Sequence, residues 1–194
     1  MKSTSIDKIK APLELPPELE EAFNTITTEK TFRRGETISG IGDLRKHIYY
    51  ILSGSARVYF IRQGKEHTYS FAFENEYISL SHPLLTDSDY IATIEFLELT
   101  TVVTIPFEEL HSMLRKLDLA TTSIMVKQMF EGLLKQMSAL EERLLMMQTC
   151  NASERYQWML NRYPKIFERA KLTQIASFLG VTKETLYRIR GGKY

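Results

Sequence analysis

Between Leu172 and Arg190 the chain places side chains that can recognise base edges on one face of a short segment and apolar residues on the other. Arg engages the O6 and N7 of guanine, Glu accepts from cytosine N4, and a Thr methyl meets the thymine methyl. Such groups must project from a helix that a second helix holds in place. Ala176 is small enough for two helices to cross closely, and Gly180, four positions later, tolerates the left-handed geometry of a sharp turn. Ile175, Leu179, Val181, Leu186 and Ile189 supply a shared core. Thr182 is placed as N-cap of the second helix, leaving Lys183, Glu184, Thr185, Tyr187 and Arg188 on its outer face. Arg190, Lys193 and Lys171 are expected to hold phosphates. The segment reads as a helix-turn-helix. The same spacing also suits an αα-hairpin that binds protein, but such a helix should be more apolar on its outer face than Thr182 to Arg190.

Charge supports the nucleic-acid reading. The net formal charge is only +1. From Asn151 onward, however, nine basic residues stand against three acidic ones, so this segment carries +6 and the remainder −5. A basic module on an acidic body suits a polyanion, because phosphate neutralisation supplies most non-specific affinity for nucleic acid.

The preceding elements must position this module. Pro12, Pro16 and Pro17 punctuate the start, and Glu18 to Thr25 has the spacing of a short entry helix with Leu19, Ala22, Phe23 and Ile26 on one side. From Thr31 to Thr104 the character is β, with strands expected at Ile48–Leu52, Ala56–Ile61, His67–Phe73, Tyr90–Phe96 and Thr101–Ile105. Ser53-Gly54 and Gln63-Gly64 are hairpin turn signals. Short strands with regular turns indicate a barrel or roll. Pro106 opens a helix carrying Phe107, Leu110 and Met113 or Leu114.

Beyond Asp118 one helical pattern runs to about Gln148. Its apolar residues Val126, Phe130, Leu133, Met137, Leu140, Leu144 and Met147 alternate spacings of four and three, the a/d seam of a coiled coil. Such a stripe could pack on the chain's own β domain; the strict 3.5-residue period favours a second copy. Gly132 beside Leu133 permits close approach or a bend. A cap at Asn151 or Ser153 starts the next helix, Glu154 to Tyr163, which Pro164 ends, and Trp158, Met159 and Tyr163 are expected in a small C-terminal core.

Several function classes drop out. A single cysteine, Cys150, builds neither an intramolecular disulfide nor a zinc or iron–sulfur site. No stretch has the length of a bilayer span or a secretory signal, so a cytoplasmic location is expected. No nucleophile motif, phosphate-cradling glycine loop or metal-spaced His/Glu set is present, so no enzyme activity is expected.

With Phe32-Arg33-Arg34-Gly35-Glu36-Thr37-Ile38, Tyr49 to Val58, Gly64-Lys65-Glu66 and the terminal Thr182 to Arg188, the chain resembles the Crp/Fnr family of bacterial regulators over roughly residues 15 to 190. The resemblance implies a cyclic-nucleotide-binding-like β-roll, a dimer helix and DNA recognition by Lys183, Glu184 and Arg188. It breaks at the phosphate cassette, where cyclic-AMP-binding members present a glutamate and an Arg-Ser pair. Here Leu80 or Ser81 and then Tyr90 and Ile91 take those places, which leaves a cyclic phosphate without a cation. His82 is a weak candidate for holding an anion or metal.

The expected architecture is α+β: an N-terminal double-stranded β-helix (jelly-roll-like) sensor domain over 1–117, a dimerisation helix over 118–149 and a small all-α helix-turn-helix domain over 150–194, with no room for a wing. The expected function is a dimeric DNA-binding transcription regulator that does not respond to cyclic AMP. The alternative is a signalling module whose C-terminal helices contact protein. Expected partners are double-stranded DNA, a second copy of the chain, RNA polymerase and a small anionic or apolar effector, with no cofactor, metal or membrane.

Overall fold

A computed structural model describes residue 9 and residues 17–39, 47–79 and 92–192. Among the described residues helix α1 (Pro17–Ile26) precedes eight strands: β1 (Thr28–Phe32), β2 (Thr37–Ser39), β3 (His47–Ser53), β4 (Ala56–Arg62), β5 (Lys65–Ala72), β6 (Tyr77–Ile78), β7 (Ala92–Phe96) and β8 (Thr100–Pro106). They form two antiparallel four-stranded sheets, ordered β1-β8-β3-β6 and β2-β7-β4-β5. Helix α2 (Phe107–Leu114) follows, then the long α3 (Leu119–Thr149), α4 (Ala152–Arg162), the short α5 (Ile166–Arg169), α6 (Leu172–Leu179) and α7 (Lys183–Arg190).

Strand alternation explains the layers. Tyr49, Ile51, Val58, Ile94, Phe96 and Val102 point between the two sheets and are buried there. Tyr50, Val103 and Ile105 point the other way, onto Leu19 and Phe23 of α1 and Leu110 and Met113 of α2. The β3 sheet is thus covered on both faces, which accounts for the nearly unbroken apolar run of β3. Both turn glycines have positive φ: Gly54 at 93° and Gly64 at 72°, the latter after Gln63 at 51°. At Gly54 a side chain would collide with the Leu99 carbonyl oxygen, 2.7 Å from the position a Cβ would take.

The roll, the long helix and the helical C-terminal unit match the expected fold class. The expected β strands are present, extended by β1, β2 and β6. Between α4 and the helix-turn-helix lies the short helix α5, for which the sequence reading had no element. The cassette positions Leu80, Ser81, Tyr90 and Ile91, with His82 and Lys193, lie outside the described residues.

Candidate nucleic-acid interface

Two caps set the helix-turn-helix geometry. At the end of α6, Gly180 is left-handed (φ 66°), its N–H donates to the Ser177 carbonyl at 3.2 Å and the Val181 N–H to the Ala176 carbonyl at 3.0 Å. This paired closure satisfies the last carbonyls and turns the chain. The Thr182 hydroxyl oxygen then accepts from the Thr185 N–H at 3.1 Å, starting α7. Ile175, Leu179, Leu186 and Met159 are fully buried together, with Val181, Trp158 and Tyr163 packed against them.

With Leu186 and Ile189 turned inward, α7 exposes Lys183, Glu184, Tyr187, Arg188 and Arg190. Thr182 is exposed beside them. Thr185 is half-buried, its hydroxyl 3.0 Å from that of Thr182, so its oxygen serves the cap. The Lys183 ammonium lies 5.7 Å from the Tyr187 ring centre and the Arg190 guanidinium 4.7 Å from that of Phe167. Lys171 is exposed at the start of α6. The arrangement is a short rigid helix with mixed donors and acceptors on one face, the form that fits a major groove.

The long helix reaches this unit with its C-terminal third. Arg143 donates to the Phe178 carbonyl at 3.1 Å, and Glu142 accepts from the Trp158 indole at 2.8 Å. Asn151 caps α4 through a reciprocal pair of bonds with Glu154. Along α3 the side chains of Val126, Phe130, Leu133, Met137 and Leu144 are largely exposed, whereas Met147, 39% exposed, accepts from Arg155 through its sulfur at 3.3 Å and Leu140 is half-buried within the chain.

A second set of polar residues joins the unit to the outer face of the β2-β7-β4-β5 sheet. Arg57, only 2% exposed, donates to Glu95 at 2.6 Å, to Thr68 at 3.0 Å and to Glu66. Gln174 of α6 donates to Glu95 at 3.2 Å. The Ser177 hydroxyl accepts from the Thr68 N–H at 2.9 Å and donates to the Glu66 carbonyl at 3.0 Å. Arg169 pairs with both oxygens of Glu74, at 2.8 and 2.6 Å, and approaches Glu98 at 3.4 Å. That bidentate bond holds the Glu74 carboxyl down at about 2, well below its usual range. Arg162 lies 3.8 Å from Glu76, whose carboxyl is pushed up by burial. The sequence reading counted Arg162 and Arg169 in the basic tail and included Arg57, Glu66 and Glu76 in longer stretches, but joined none of them to a partner. The available signal was a charge flanked by apolar residues in a strand, as in Ala56-Arg57-Val58 and Ile94-Glu95-Phe96.

Residues 29–116 match the family model of the cyclic nucleotide-binding domain. Over 200 residues, 96% of this chain and 77% of the relative, the chain is 26% identical to the fumarate and nitrate reduction regulatory protein of Escherichia coli K12. The chain therefore carries a cyclic nucleotide-binding domain and is similar along nearly its whole length to a Crp/Fnr transcription regulator. Among solved structures, this Crp/Fnr fold aligns with FixK2 from Bradyrhizobium japonicum at TM-score 0.67 and 20% identity, covering 86% of this chain and 84% of that one. It aligns with the c-di-GMP responsive global regulator CLP of Xanthomonas campestris at TM-score 0.68 and 15% identity, covering 89% and 88%. The named relatives are regulators, not enzymes, and no described helix is long and apolar enough to cross a membrane.

Proposed function

We propose that this Crp/Fnr regulator works in the cytoplasm as a homodimer, paired through α3, that reads an inverted DNA repeat with one α7 per half-site. The observation that carries the reading is α7 itself: capped by Thr182, anchored by buried Leu186 and Ile189, and polar over its whole outer face. Lys183, Glu184 and Arg188 contact base edges, with Tyr187 and Thr185 at the rim. Arg190 and Lys171 hold phosphates. The two half-sites lie about 34 Å apart, one turn of duplex. The three units are the sensor domain over 1–117, the dimerisation helix over 118–149 and the DNA-binding domain over 150–194. Cyclic AMP is not the effector, because Tyr90 and Ile91 offer its phosphate no cation; a small anionic or apolar molecule is, and RNA polymerase is the downstream partner.

Selection of bound sites from random DNA tests this. An enriched palindrome is expected, and Arg188→Ala should cost roughly 1 to 3 kcal/mol while relaxing preference at one base pair. A dimer that enriches no palindrome overturns the reading.

A further inference from the structure

Where α3 meets the helix-turn-helix it places a cation that no carboxylate neutralises. Arg143 is half-buried, and the ionisable side chains facing it are the phenols of Tyr69 and Tyr163, so burial pushes its guanidinium below its usual value. Its Nε is buried and has no hydrogen-bond partner among the described residues. Its Nη2 donates to the Phe178 carbonyl at 3.1 Å, at the C-terminal end of α6, and its guanidinium carbon lies 4.6 Å from the centre of the Phe178 ring. A helix C-terminus and an aromatic face both favour a cation. Packing alone does not call for one here, because an apolar side chain of the same volume would leave no donor unsatisfied.

We propose that Arg143 is a positioning residue for DNA reading: it clamps the recognition unit to the dimer helix at one angle and so fixes the half-site spacing that the dimer accepts. The inference rests on the dimeric DNA-binding reading above.

Arg143 directly precedes Leu144 of the seam, so the turn of α3 that pairs with the second copy also grips α6. Two more holds come from the same stretch. Glu142 accepts from the Trp158 indole of α4 at 2.8 Å. Met147, one turn beyond Arg143, packs on the turn between α6 and α7, where a Cβ at Gly180 would lie 2.7 Å from its methyl carbon. Three holds on three elements restrict rotation as well as translation, which the extended link at Cys150 and Asn151 alone does not. The required tolerance is narrow. Changing the spacer by one base pair moves one half-site about 3.4 Å and turns it about 35° relative to the other, so each subunit must shift about 1.7 Å and rotate about 17°. Such a rotation between α3 and the recognition unit carries the Arg143 donor off the Phe178 carbonyl. A clamped dimer therefore rejects the altered spacing, and a dimer hinged at Cys150 absorbs it.

The test uses the full-length protein and the palindrome that wild type enriches from random DNA, with versions one base pair longer and one shorter at the centre. Wild type should bind the altered spacings about tenfold or more weakly, at least the effect of one mismatched base pair. Arg143→Met, which keeps volume and helix propensity, should keep most of its affinity for the original spacing while the penalty for altered spacing drops at least about threefold. Arg143→Lys retains the charge and a donor for the Phe178 carbonyl and should restore most of the penalty. Glu142→Ala removes an exposed side chain, should relax spacing in the same direction, and decides the matter if Arg143→Met does not fold. The chain's single tryptophan reads the clamp without DNA, because Trp158 bonds to Glu142 and stacks on the same Phe178 that Arg143 covers. Its fluorescence anisotropy should decay faster in Arg143→Met. Equal weakening at every spacing makes Arg143 merely structural and overturns the proposal, as does an unchanged penalty. Enrichment by wild type of inverted half-sites at several spacings alike overturns the clamp and leaves the DNA-binding reading standing. If no sequence is enriched, that reading fails and the spacing role with it, while Trp158 anisotropy still decides whether Arg143 holds the unit on α3.

Discussion

Dimerisation through α3 can be put at risk at one residue. Leu133 is 66% exposed at the middle of the apolar seam. Leu133→Ala removes three carbons, worth about 0.8 kcal/mol each when taken from water into an apolar contact. If pairing buries the exposed two-thirds of the side chain, each protomer loses about 1.6 kcal/mol and the dimer about 3 kcal/mol, because two-fold symmetry counts the change twice. At 1.4 kcal/mol per tenfold, the dissociation constant should rise roughly 100- to 300-fold. Sedimentation velocity across a dilution series measures this directly. Leu145→Ala is the control: Leu145 is 55% exposed, nearly as much, but sits one position off the seam next to Leu144. Its change should stay within about threefold. Two results refute the reasoning: a wild-type chain that is monomeric at micromolar concentration, or equal weakening by both substitutions, which would show that exposure and not register governs the contact.

Thr182→Ala removes the acceptor for the Thr185 N–H and should cost about 1 kcal/mol of C-terminal-domain stability, seen as earlier loss of helical signal in denaturant, whereas Thr182→Asp keeps the cap and the midpoint. Gly54→Ala should destabilise the roll by about 1 to 3 kcal/mol in the same assay, since φ is 93° and the new methyl meets the Thr100 hydroxyl and Leu99 carbonyl; a neutral result would mean that this turn rearranges freely. The Arg169–Glu74 contact between the roll and the C-terminal unit should also follow pH. Glu74 is held at about 2 by Arg169, so its contribution is complete above the ordinary 4.5 and disappears as pH falls from there toward 2. Glu76 is raised by burial and by Glu74, against the pull of Arg162, so its protonation acts with the opposite sign and the test is confined to Glu74. The wild-type minus Glu74→Gln difference in β5 hydrogen exchange, corrected for intrinsic rates, should therefore vanish below about pH 2 to 3 and be flat above 5; a difference that grows on acidification contradicts the assigned role of Arg169.

What was legible in the sequence divides by the range of the interactions involved. The helix-turn-helix is encoded by neighbours three to five positions apart: Ala176 with Val181, Ser177 with Gly180, Thr182 with Thr185. Each residue type carries its own geometric reason, so pattern alone placed both helices and the turn. The hairpins at Gly54 and Gly64 were legible for the same reason, because a positive φ is a property of one residue. β1 escaped notice because Thr28–Phe32 is polar and largely exposed at a sheet edge, without the apolar alternation that marks a half-buried strand. β6, at two residues, is shorter than any period.

The contact between roll and helices was not legible at all, and the cause is physical. Ser177 meets Thr68 across 109 positions and Arg169 meets Glu74 across 95. A charged residue in a strand announces which face it takes, since Arg57 between Ala56 and Val58 must point away from the inter-sheet core. It does not announce what covers that face. Alternation says that Arg57 and Glu95 leave the core on the same side only once Arg57 is known to stand opposite Glu95 in register, and register is fixed by the folded sheet. The +6 charge of the C-terminal segment therefore pointed to a polyanion and was silent about a second candidate partner, the chain's own carboxylates. Arg162 and Arg169, counted in that charge, are held by Glu76 and Glu74 of the roll, whereas Lys171, Arg188 and Arg190, the residues proposed to meet DNA, stay exposed.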